Sequence, residues 1–554
     1  MLARRGGSEI SYARFMRLFA AGRAIGTLAL VSLAACGARV EAMMDAGPGD
    51  VVSPPADAGV PPVDTGVVVM RGGRGAVCAQ DAECAEGLLC ARGADLVHTC
   101  SIPCTTDAQC LDNGERCAVD RNAGAAPRAV CGVVDPGTGE EGSACTRDND
   151  CGSNFCVDRV CRFFCAMDAE CATGARCIPS SLSGLRVCGF EPVTAPRVDE
   201  FTVLNGPSAV DRPTERTFEL APDAVSFALT VQDLEGRDLI ASVVRLTAPD
   251  AAMWIDGNSW SIVREQPIRD ILAMDQINTV LAPSSDTLRL LPGRYTYFAG
   301  LFNDRMAMTS AISRQANVML RVKRAPGGNL PATGTLRVRF YFVPGVGVTA
   351  ATAMANPRIQ AAITGMRTAY SGVGITVMPV GFEDVTAADA ARFTVIDAQS
   401  EIDDLFTKRA AGRSDEVSVF FVRSIAATTG LDGAIGVAGD IVGPPGIHGT
   451  IHSGVVISLD GTLNGGGARD LLSNTLSHEV GHYLGLWHTR ESRPACTSGG
   501  QTNCSPFGGV DPISDTPTDN AGAARYTMFW AAAPNVLLFS AGQGKVLRSS
   551  VIVN

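Results

Sequence analysis

Three of the chain's six histidines lie in one stretch of eleven residues, His478-Glu479-Val480-Gly481-His482-Tyr483-Leu484-Gly485-Leu486-Trp487-His488. His478 and His482 are four positions apart, so on a helix they project from one face. Two imidazoles placed that way can grip one metal ion, at about 2.0–2.1 Å from each nitrogen if the ion is zinc. Glu479 sits one residue round from the first histidine, where a carboxylate reaches a water beside the metal and serves as general base. On an unbroken helix His488 would lie about 15 Å along the axis from His478 and face elsewhere. It joins the other two only if the helix stops and the chain turns back. Gly485 is the place for that turn, because glycine accepts a positive φ at a helix end. The chemistry that suits this set is metal-assisted hydrolysis, in which Glu479 moves the proton of the attacking water.

The elements that position these residues belong to a chain of 554 residues, enough for several domains, of which 46% are hydrophobic. A net charge of -11 without a basic stripe excludes a nucleic-acid partner. Nineteen cysteines are unevenly placed: Cys36, sixteen between 78 and 188, and Cys496 with Cys504. That density implies an oxidising compartment outside the cytoplasm. Arg14, Arg17 and Arg23 flank or precede the apolar run from Ala24 to Ala35, which is too short to span a bilayer, so residues 1–36 read as a signal peptide. Leu33-Ala34-Ala35-Cys36 resembles the lipobox of bacterial lipoproteins, in which the cysteine carries the lipid. Without Cys36 eighteen cysteines remain, an even number for pairing. The expected location is the cell envelope, with Cys36 anchored in the outer membrane, or the exterior after secretion.

Residues 37–75 read as an extended tether, with Pro54-Pro55 and Pro61-Pro62 and no helical or strand period. Residues 76–190 contain two units of eight cysteines, from Cys78 to Cys131 and from Cys145 to Cys188. Inside them the pattern Cys, two residues, Asp, two residues, Cys recurs at Cys78/Asp81/Cys84, Cys104/Asp107/Cys110, Cys145/Asp148/Cys151 and Cys165/Asp168/Cys171. Few large apolar residues occur there, so disulfides stand in for a core, and the recurrent Asp suits a turn rather than calcium. Residues 197–325 read as an all-β sandwich. Val225, Phe227, Leu229 and Val231 alternate with smaller or polar residues, and short runs follow at Leu239–Leu246, Thr287–Leu291, Arg294–Ala299 and Asn317–Lys323. Lys323-Arg324 opens a Pro/Gly-rich linker and is a candidate site of activating cleavage.

From residue 333 to 554 the pattern becomes α/β (α+β). Strands are expected at Leu336–Val343, Ile375–Met378, Glu416–Val422 and Gly454–Leu459, and helices from Asn356-Pro357, over Gln399–Lys408, and through the histidine motif from about Asp470. His448 and His452 read as ordinary polar contacts. Asp511, Asp515 and Asp519 suit turns, with a calcium ion as the other candidate. The fold class is therefore multidomain: small disulfide-rich repeats, a β-sandwich, then an α/β part with a mixed sheet.

The motif resembles the H-E-x-x-H-x-x-G-x-x-H signature of metzincin metallopeptidases. Within that clan the stretch His478–Thr489, then Asp515-Thr516-Pro517, then Phe539-Ser540-Ala541-Gly542-Gln543 is similar to the pappalysin or cytophagalysin family. The resemblance implies a twisted sheet with two helices above a cleft, one zinc ion on His478, His482 and His488, and Glu479 as the catalytic base. It also implies a Met-turn, with Met528 in Tyr526-Thr527-Met528-Phe529-Trp530 as the floor beneath the metal, and a protein or peptide substrate lying along an edge strand before Gly454. Cys496 and Cys504 are expected to pair with each other. The chain departs from the family at Tyr526 and Trp530, where Asn and Tyr usually stand; Trp530 offers an indole N–H where relatives place a phenol near the reacting carbonyl. The alternative reading is a non-enzymatic surface or adhesion lipoprotein with a degenerate zinc-peptidase domain.

Overall fold

The computed structural model describes residues 71–554 apart from 93–96, 106–108, 111–114, 121–127, 133–136, 138, 140–144, 154, 158, 181–185, 211–212, 257–267, 270–275, 303–312, 410–411, 427–433, 465–468 and 492–508. The signal peptide, Cys36, the tether as far as residue 70, Asp107, Cys496 and Cys504 lie outside the described residues. Among the described residues no helix is long and apolar enough to cross a membrane.

The cysteine-rich region is built from four small units rather than two large ones. In each unit the first cysteine pairs with the third and the second with the fourth: Cys78–Cys90 and Cys84–Cys100, Cys104–Cys117 and Cys110–Cys131, Cys145–Cys156 and Cys151–Cys161, Cys165–Cys177 and Cys171–Cys188. The aspartate of the short pattern accepts the backbone N–H of the third cysteine, at 2.7 Å for Asp81 and 2.8 Å for Asp148 and Asp168. It thereby closes the turn that brings the pairing sulfurs together. A second acceptor, two residues after the aspartate, takes the N–H that follows the first cysteine in all four units: Glu83, Gln109, Asp150 and Glu170. The expected tether boundary moves, because Gly72 and Gly75 already donate to Glu83 and Cys100 in the first unit.

Two antiparallel sheets follow. One has the order β6-β7-β3-β9-β1, from β1 (Arg197–Ala209), β3 (Ala224–Asp233), β6 (Ile268–Arg269), β7 (Ile277–Ala282) and β9 (Ser313–Arg324). The other has the order β2-β8-β4-β5, from β2 (Thr214–Leu220), β4 (Ile240–Thr247), β5 (Met253–Asp256) and β8 (Gly293–Phe302). Phe227, Leu229 and Val231 of β3 meet Phe218, Tyr295 and Tyr297 of the facing sheet in one buried core. The strand expected at Thr287–Leu291 does not form. Leu288 and Leu290 do pack against the core, but from an irregular segment, so their alternation marks burial and not a ladder.

The C-terminal part is a five-stranded mixed sheet in the order β11-β10-β12-β14-β13. Its strands are β10 (Gly334–Phe342), β11 (Ile375–Asp384), β12 (Glu416–Val422), β13 (Gly436–Ala438) and β14 (Val455–Ser458). All pairs are parallel except β13 on β14. All seven residues of β12 are buried, as a central strand covered on both faces requires. Phe340, Val419 and Ile457 face α1 (Pro357–Ser371) and α3 (Leu472–Tyr483), while Tyr341, Phe420 and Val456 face α2 (Gln399–Phe406). Asn356 caps α1 through the N–H groups of Arg358 and Ile359. The two helices on one face are held together by Tyr370 Oη donating to Ser477 O at 3.1 Å. At Gly365 an added Cβ would meet Ser473 Oγ at 2.6 Å, so only glycine allows this crossing.

The expected cleavage site at Lys323-Arg324 is not accessible. Both residues lie in β9 and are 3% and 5% exposed. Lys323 Nζ donates to Arg548 O at 2.6 Å and also to Val553 O. Burial pushes its pKa down to about 8. Arg324 pairs with Asp223 at 2.6 Å and Asp199 at 3.2 Å. Trypsin applied to the folded protein should therefore leave the bonds after Lys323 and Arg324 uncut; peptide mapping that finds early cleavage there would contradict this.

Candidate metal centre

Helix α3 carries the first two histidines and ends as the sequence demands. Leu486 N donates to Gly481 O at 3.0 Å and Gly485 N to His482 O at 2.8 Å, the paired bonds of a Schellman cap, with Gly485 at φ 104°. The chain then runs back and presents His488.

The three rings converge. His478 Nε2 lies 3.1 Å from His488 Nε2 and 3.0 Å from His482 Nε2. Each opposite nitrogen is anchored: His478 Nδ1 donates to Thr527 O at 2.8 Å, His482 Nδ1 to Leu486 O at 2.6 Å, and His488 Nδ1 to Glu491 at 2.8 Å. These bonds place the proton on Nδ1 and leave three Nε2 lone pairs pointing at one volume. Burial and neighbouring histidines favour the neutral form, pushing His478 down to about 3 and His482 well below the usual histidine range. Three neutral imidazole nitrogens so arranged fit a zinc-type ion.

Glu479 is buried beside them. Its stem lies against Gly436 of β13, where an added Cβ would stand 2.7 Å from Glu479 Cγ. Burial pushes its carboxyl up to about 8, against the pull of the Ala438 N–H that it accepts. Among the described residues β13 is the outer strand of the sheet, so Glu479 sits behind an edge strand.

Met528 is fully buried under the helix, and a Cβ at Gly481 would meet its Sδ at 2.6 Å. Its turn is closed by Phe529 N donating to Tyr526 O at 3.1 Å, and Met528 O accepts Thr489 N at 2.8 Å. One turn thus supports two of the three histidines, His478 through Thr527 and the His488 segment through Met528. Trp530 is 47% exposed and Tyr526 half-buried. His448 and His452 stay out of the centre, bonded through a ring nitrogen to Arg413 O and Gly439 O respectively. Asp511, Asp515 and Asp519 each accept backbone or side-chain donors, from Ile513, Gly542 and Gly522 among others, and form no three-carboxylate cluster among the described residues. Glu491 escaped the sequence reading, although an acid three residues after the third histidine was its available signal. The Thr527 and Leu486 carbonyls carry no such signal.

No protein-family model matches the chain, and no curated protein matches it in sequence. Similar solved structures include a chaperone–substrate complex (14% identity, 41% of this chain and 37% of that chain, TM-score 0.21). Another is metalloproteinase-II from Bacteroides fragilis (13% identity, 37% of this chain and 55% of that chain, TM-score 0.20). The chain spans less than two thirds of the length of either structure. TM-scores this low carry no argument, and the reading of the centre rests on its own geometry.

Two outcomes follow. Gly481→Ala should drive a methyl into Met528 and cost about 1–3 kcal/mol, read as a lowered denaturant midpoint; an unchanged midpoint would show that the floor is loose. In metal-free protein, His478 binds its proton only near pH 3 when folded but near 6.5 when unfolded, so its contribution to stability is lost as pH falls through that window. Below about pH 4.5 Glu479 is protonated in both states and no longer opposes this trend. His478→Gln should flatten the acid limb by up to about 1.4 kcal/mol per pH unit; an identical slope in the variant would contradict the assignment.

Proposed function

We propose that the protein is a zinc-dependent endopeptidase that cleaves extracellular proteins or peptides. The observation that carries this reading is the convergence of three anchored Nε2 atoms beside a buried carboxylate behind an edge strand. His478, His482 and His488 would hold one zinc ion, which when bound supplies a Lewis acid and lowers the pKa of a water. Glu479 takes the proton of the attacking water and returns it to the departing amine. An extended substrate would pair with β13, which places its carbonyl in front of Glu479. The reading also draws on the resemblance to metzincins of the pappalysin type, which implies these roles for the three histidines and Glu479 and a floor at Met528.

The eight disulfides among the described residues support a location outside the cytoplasm. We place the protein at a bacterial envelope, tethered through Cys36, on the strength of the Leu33–Cys36 sequence. The cysteine-rich units would then act as a spacer between membrane and metal centre.

The deciding experiment is a casein or gelatin digest by the full chain, with and without a chelator, beside Glu479→Gln. The variant should keep its zinc and lose turnover by about 10²–10⁴-fold. Cleavage at the unsubstituted rate by the variant would overturn the role of Glu479, and full zinc binding without any cleavage by the unsubstituted protein would favour the non-enzymatic reading.

A further inference from the structure

The segment 439–453, between β13 and β14, lies between the metal-site helix and the β-sandwich and bonds to both. On the helix side, Gly443 N donates to Tyr483 O at 3.0 Å and Tyr483 Oη donates to Pro444 O at 3.2 Å. On the sandwich side, Arg321 of β9 donates to Pro445 O at 2.5 Å, and Gln276 Oε1, next to β7, accepts Ile451 N at 3.2 Å. Gly446, at φ 69°, makes room for Arg321, whose Nη1 would stand 1.8 Å from any Cβ there. Leu281 of β7 goes further and touches the ligand turn itself: a Cβ on Gly485 would meet Leu281 Cδ2 at 3.0 Å. Leu281 is buried with Val442, Val551 and Ala228 in an apolar cluster that crosses between sandwich and mixed sheet.

Two points along this segment matter to the site. Its start continues β13, whose Ala438 N–H reaches Glu479. Its middle grips the last helical residue before the turn to His488. The sandwich is therefore bonded to the segment that leads out of β13 and grips Tyr483, and it touches the Gly485 turn directly.

We propose that the β-sandwich is a working part of the metal centre, with Arg321 and Leu281 as positioning residues that hold the 439–453 segment and, through it, Glu479 and the His488 turn. This rests on the metal-binding part of the function proposed above. It goes beyond that reading in making the centre depend on side chains more than 150 residues upstream of its own motif. The Lys323 bonds to the carbonyls of residues 548 and 553, and Asp286 accepting Ser514 N at 2.9 Å, show that the same sandwich also fastens the segments that follow the motif.

The test compares Arg321→Ala and Leu281→Ala in the full chain with Arg237→Ala. Arg237 makes an ion pair across the same interface, to Asp404 at 2.8 Å, that involves no residue of the 439–453 segment. Zinc affinity, read by competition with a chromophoric chelator, should weaken about tenfold or more in the first two variants and stay within about twofold in the third. The absorption spectrum of the cobalt-loaded protein should change in the same two, and deuterium uptake at the Gly443 amide should rise. Unchanged affinity and spectrum in both Arg321→Ala and Leu281→Ala would overturn the proposal. So would an equal loss in Arg237→Ala, which would mark general loosening of the interface. If Arg321→Ala does not fold, Leu281→Ala, or the smaller truncation Leu281→Val, decides alone. None of these readouts needs turnover, so zinc binding without peptide cleavage would sink the peptidase reading and leave this one standing.

Discussion

The structure depends on keeping three imidazole lone pairs aimed at one another. Left to themselves, such nitrogens would turn away, or one would take a proton and push the others aside. The protein blocks the first escape by tying each Nδ1–H to a fixed acceptor, and the second by burying the rings where charge is costly. What remains is a set of donors whose mutual repulsion a cation relieves. Every nearby feature serves that tension: the glycine turn that returns His488, the methionine that fills the space under Gly481, and the edge strand that closes over Glu479.

The outline of this arrangement was legible because it is written in local spacing. Histidines four apart announce a helix face, and a glycine three residues after the second announces its end. The Asn356-Pro357 start and the Val/Phe run of β12 are local signals of the same kind, and the structure reproduces them nearly to the residue. Resemblance pointed to Met528, and the contact with Gly481 gives its place a physical reason.

What sequence did not disclose was partnership across distance. Lys323-Arg324 looked like a solvated pair because its acceptors lie about a hundred or more residues away, at Asp223, Asp199 and the carbonyls near residue 550. Leu288 and Leu290 imitated a strand because alternation reports which side chains turn inward, whether or not a neighbouring strand supplies hydrogen bonds. The supporting carbonyls of Thr527 and Leu486 are backbone groups that any residue could provide. The two-by-two pairing within each cysteine unit also needed coordinates, since four cysteines allow three pairings.

The short disulfide loops give the molecule a built-in order of assembly. Each closes only 10–21 residues, so these units can form as soon as their own few residues are present. The mixed sheet joins Arg337 to Glu416 and Val419 to Val455, and the sandwich waits for residue 553 to meet Lys323. Such distant closures are slow. The part that carries the three histidines is thus the last to mature, after the cysteine units have closed their own loops.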